Sequence, residues 1–106
     1  MPKYLFKVNY TLEGAKGVLA KGGTTRHQAA QAAAESAGGT VETFYFAFGG
    51  TDVYGVADLP DNIAAAAFAL TVAASGGATL ETVVLLSPEE IDAATSKKIG
   101  YKPPGS

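Results

Sequence analysis

An α+β fold, with helices packed on one face of an antiparallel sheet, is predicted for this chain of 106 residues by three observations. Short segments that alternate apolar and polar side chains, rich in aromatic and β-branched residues, read as strands. Alanine-rich segments that stop at Gly-Gly pairs read as helices with their ends. Two strand-like segments meet directly across Gly49-Gly50 as a hairpin, whereas the others are separated by helices.

Taken in order, KYLFKVNYT is the first strand by its alternation. LEGAKGVLAKGG reads as a short helix closed by Gly22-Gly23. TTRHQAAQAAAESAGG reads as a second helix, with Thr24 or Thr25 as cap and Gly38-Gly39 as stop. TVETFYFAF and DVYGVADL form the hairpin. LPDN is a turn from which Asp61 caps the helix IAAAAFALTVAAS, ended by Gly76-Gly77. TLETVVLL is the fourth strand. SPEEIDAATSKK carries Ser87, Pro88 and Glu90 in the spacing of a capping box. IGYKPPGS contains nothing that would fold alone. The chain is expected to form one domain over residues 1–106, with residues 98–106 as a tail. Strand, helix, strand, strand, helix, strand is the ferredoxin-like βαββαβ order, here with an extra C-terminal helix. Right-handed crossovers then put both main helices on one sheet face and leave the other bare.

The composition restricts the function. Hydrophobic residues make up 47% of the chain, and no apolar run reaches the ~18 residues of a membrane span. The amino end alternates where a signal peptide would be continuously apolar, so a cytoplasmic protein with no membrane partner is expected. There is no cysteine, which excludes disulfides and thiolate metal sites. The net charge is −2, and no Lys or Arg lies between Arg26 and Lys97. Nucleic-acid binding requires clustered cations, so no nucleic-acid partner is expected.

Alternation across the hairpin divides its residues between two faces. Phe44, Phe46, Phe48, Val53 and Ala57 form an apolar face expected to lie under the helices. Thr43, Tyr45, Asp52, Tyr54 and Asp58, with Val41 and Val56, form a mixed face on the bare side. That face is expected to carry a homodimer contact, since paired Tyr45 and Tyr54 would otherwise expose an aromatic patch. The helix from Ile63 to Ser75 is apolar nearly all round, so a further self-association beyond the dimer is expected through it.

His27 is the one histidine, which excludes a multi-histidine metal site and a His-based triad, and no Gly-Gly pair has phosphate-loop spacing. No metal and no cofactor is expected. The candidate ligand-binding residues are Asp52, Tyr45 and Tyr54, with Arg26 and His27 at the rim. Each also has a plainer reading. Asp52 can bond backbone amides at the turn, His27 can lie on an exposed helix surface, and Arg26 can solvate that surface.

The chain resembles the GYD domain family over KYLFKVNYTLEGAKGVL, GGTTRHQAAQAAAESAGG, FYFAFGGTDV, LPDNIAAAAFAL and LLSPEEIDAA. The motif triplet falls on Gly50-Thr51-Asp52, so Thr51 stands where the family has its tyrosine. The resemblance implies membership of the dimeric α+β barrel group, in which two ferredoxin-like sheets pack face to face. Two function classes follow. One is a homo-oligomeric protein that binds or senses a small molecule. The other is a cofactor-independent enzyme, an isomerase or oxygenase, acting on a small organic substrate. The first is preferred, because the one histidine is on a helix and not on the bare sheet face.

Overall fold

The computed structural model describes residues 1–105; Ser106, the end of the expected tail, lies outside the described residues. The elements are β1 (Lys3–Tyr10), α1 (Leu12–Ser36), β2 (Thr40–Phe46), β3 (Val53–Asp58), α2 (Asn62–Ala74), β4 (Ala78–Leu85) and α3 (Pro88–Thr95). The four strands form one sheet in the order β2-β3-β1-β4, with every neighbouring pair antiparallel. This is the ferredoxin-like α+β arrangement. No helix is long and apolar enough to cross a membrane among the described residues.

The two helices expected from LEGAKGVLAKGG and TTRHQAAQAAAESAGG are present as two segments of α1 that meet at a kink, where Gly22 has φ 82° and ψ 173°. Only glycine adopts that conformation readily, so the axis breaks where the Gly-Gly pair predicted it. The cap is Thr11, whose side chain accepts from the Gly14 amide, and Thr24 and Thr25 lie within the helix. Gly38, with φ 92°, closes α1: its amide reaches Glu35 O at 3.0 Å, and the Gly39 amide reaches Ala34 O at 2.9 Å. This double bond is the left-handed glycine stop of a helix end. Asp61 caps α2 through the Ala64 amide at 2.8 Å. The capping box of α3 is complete.

In the hairpin, Tyr45 pairs with Tyr54, Phe44 with Gly55 and Phe46 with Val53, as alternation predicted. The connection is wider than Gly49-Gly50, because the Ala47 amide closes onto Asp52 O at 2.9 Å around four residues. Phe48 therefore leaves the sheet and is wholly exposed. Phe46 is 41% exposed. The expectation that all three phenylalanines form the core is corrected accordingly. A second correction concerns Val41. The β2–β3 register shifts between Val41 and Thr43, so Glu42 is an extra residue and the strand's faces exchange there. Val41 packs against the core cluster and not on the bare face.

The core lies between the helices and the inner face of the sheet: Tyr4, Phe6, Ala34, Val53, Ala57, Leu59, Ala65 and Ala78. Half of these are alanines, so the few large side chains carry most of the apolar burial. Tyr4 buries its ring and donates its hydroxyl to Asn62 Oδ1 at 2.7 Å. Phe6 packs on Phe68 of α2 with ring centroids 4.8 Å apart. From Pro88 to Gly105 every residue is exposed, so α3 and the segment after it form an arm that does not cover α2. With that arm the molecule measures 57 × 33 × 22 Å and has a radius of gyration of 16.9 Å, against ~13 Å for a compact domain near this length.

Candidate functional site

The five residues singled out in the sequence fall on both sides of the sheet. Tyr45 and Tyr54 are cross-strand partners on the bare face, 70% and 42% exposed. Arg26 and His27 are on α1, which covers the opposite face. His27 stacks on Phe44, with ring centroids 5.0 Å apart and planes 9° apart. It lies at the sheet edge beside Gln31 and Thr40, on a groove open to solvent.

Asp52 holds the hairpin to β1. Its Oδ2 accepts from the Tyr10 amide at 2.9 Å, and its own amide donates to Val8 O at 2.9 Å and to Asn9 Oδ1 at 3.2 Å. These bonds prolong the β1–β3 ladder past the last paired residues. Asp52→Ala leaves the Tyr10 amide without its partner and is expected to cost about 1–3 kcal/mol. Asp52→Asn keeps an acceptor oxygen and is expected to cost less. Urea unfolding of the two variants checks this, and wild-type stability in Asp52→Ala would contradict the role.

The inner face of the sheet does not meet the helices everywhere. A cavity of about 280 Å³ lies between the layers, walled by Phe6, Val8, Phe44, Phe68 and Leu80, and roofed by Ala30 and Ala33 of α1. The sequence explains it: the side chains of Ala29, Ala30 and Ala33 of α1 are too short to close a gap that leucines would fill. Tyr10 and Arg26 line this chamber and also a second, outer cavity of about 350 Å³ that includes Glu13, Lys21 and Thr25. They therefore stand where the two spaces meet. Burial pushes the Tyr10 phenol above its ordinary pKa, while the adjacent Arg26 guanidinium pulls it the other way. The two aliphatic hydroxyls on the chamber wall are committed to α2 carbonyls: Thr71 donates to Ala67 O at 2.7 Å and Ser75 to Val72 O at 2.6 Å.

Arg26 was among the residues expected at a site, but Tyr10 was not. The signal for Tyr10 lay in the first strand, where Tyr4, Phe6, Val8 and Tyr10 occupy one face by alternation. The chamber itself had no local signal, since it arises from alanines of α1 set against residues of α2 and of all four strands.

A family model described as GYD domain matches residues 4–95 of the chain. No curated protein and no solved structure matches it.

Proposed function

Because the chain belongs to the GYD domain family, whose match spans both layers of the fold, we propose that it is a homo-oligomeric protein that binds a small, mostly apolar molecule between helices and sheet. The observation that carries this reading is the chamber of about 280 Å³. An apolar space with a few polar groups at one end is the usual form of a ligand pocket. The titratable side chains that line the chamber are Tyr10 and Arg26. Arginine stays protonated in proteins, and the phenol's raised pKa keeps it protonated at neutral pH. Neither is a base, which favours binding over proton abstraction.

Ala33→Phe places a ring in the chamber. Native mass spectrometry of protein purified without denaturation is expected to show an added mass on the wild type and none on Ala33→Phe. An added mass on neither protein, or on both, contradicts the reading.

The homodimer is assigned to the bare sheet face. There Leu5 lies between Val56 and Val83, and Lys7 lies between Tyr54 and Glu81. An apolar row beside a row carrying both charge signs is self-complementary about a two-fold axis. The second self-association is assigned to the uncovered side of α2, where Ile63 and Leu70 are 79% and 70% exposed. Light scattering is expected to show Tyr54→Arg weakening the dimer, and Leu70→Glu reducing larger particles to dimers. A monomeric wild type at micromolar concentration refutes the first assignment, and a wild type that is simply dimeric refutes the second.

A further inference from the structure

We propose that the molecule held between the layers is a monoanion: an apolar body in the inner chamber, with a carboxylate or equivalent acidic oxygen at its mouth, paired with Arg26 and accepting a hydrogen bond from the Tyr10 phenol. This rests on the binding reading above and specifies its ligand class.

The first argument is which polar groups remain available. Thr71 and Ser75 spend their hydroxyl protons on their own helix. Arg26 forms no ion pair with a carboxylate among the described residues, whereas Lys3, Lys7 and Lys16 each do. The carboxylate nearest the Tyr10 backbone, Asp52, is engaged by the Tyr10 amide. Arg26 spends one donor on the Tyr10 phenol oxygen; its other donors and the phenol proton face the mouth of an apolar chamber with no carboxylate paired to the guanidinium.

The second argument is the field at that mouth. Arg26 lies in the first turn after the Gly22 break, where the following helical segment presents the positive end of its dipole. The outer cavity adds Lys21 and Glu13, and the Asp52 carboxylate, whose charge also reaches the Tyr10 phenol, is held by the Tyr10 amide. A cationic ligand would meet a guanidinium, and a neutral one would leave it unpaired. A second negative charge further along the ligand would be buried in the apolar chamber at a large desolvation cost. One acidic group at one end of an apolar body satisfies all three conditions. The volume, near the lower bound of the ~300–1,000 Å³ usual for ligand pockets, limits the body to one or two rings or a short chain.

Three probes of one shape and different charge test this: 2-naphthoate, 2-naphthalenemethanol and 2-naphthylmethylammonium, each titrated against the full chain by naphthalene fluorescence anisotropy. The naphthoate is expected to bind about tenfold or more tighter than the alcohol, and the ammonium weaker than either. Arg26→Gln is expected to remove the preference, so that acid and alcohol bind alike, and Arg26→Lys to keep part of it. Tyr10→Phe is expected to weaken the naphthoate alone. Equal affinity for the three probes in the wild type overturns the anion assignment and leaves the chamber as a binding site. Binding of none of them, or naphthoate binding that survives Ala33→Phe, overturns the chamber as the site and the assignment with it.

Discussion

Gly39→Ala is expected to destabilise the protein by about 3 kcal/mol or more, a large part of the ~5–15 kcal/mol that holds a domain together. A Cβ at Gly39 would sit 1.9 Å from Asp58 O and 2.9 Å from Leu59 Cδ2. The first obstacle is backbone and cannot rotate away. The Gly39 amide is also fixed, bonded to Ala34 O at the end of α1. The chain therefore cannot move from β3 without opening the helix stop. A thermal melt should show the midpoint fall by roughly 15 °C, at about 4–8 °C for each kcal/mol in a domain near this size. A fall of only a few degrees would mean that the approach between α1 and β3 is looser than described.

Leu59→Ala is the second large effect, expected at about 2–5 kcal/mol. Leu59 has no exposed surface, and it sits in the core cluster beside Tyr4, Ala34 and Ala65. With half of the core already alanine, few neighbours have the length to fill the space it would leave. Because Leu59 Cδ2 is one of the two groups a Gly39 side chain would meet, the two substitutions should not add. The double variant is expected to be more stable than the sum of the single losses implies, by about 0.5–3 kcal/mol. Strict additivity in guanidinium unfolding would show that the Asp58 carbonyl alone sets the cost at Gly39.

The strand and helix order could be read from the chain because each element carries a local periodic signal and a glycine or a cap at its ends. The faces of β1 and β3 were equally legible, as Tyr4, Phe6 and Val53 show. Val41 was not, because TVETFYF alternates without interruption, and nothing in it marks Glu42 as the residue that drops out of register. Phe48 was misplaced because period 2 says nothing about where a strand stops pairing. Asp52 was recognised as a turn residue, but its partner, the Tyr10 amide, is 42 positions away. The pairing of Arg26 with Tyr10 at the chamber mouth depends on the whole fold in the same way.

The projecting arm has a hydrodynamic consequence. Eighteen exposed residues from Pro88 to Gly105 lengthen the body and raise its drag above that of a sphere of the same mass. On a sizing column calibrated with spheres, a single copy of this chain elutes ahead of its true mass. Its Stokes radius, which such a column reports, is that of an elongated body of 57 × 33 × 22 Å. An apparent mass modestly above that of one copy is therefore no sign of assembly, whereas elution at twice that mass is. A frictional ratio that falls toward that of a sphere on assembly would show that the arm has folded onto a neighbour.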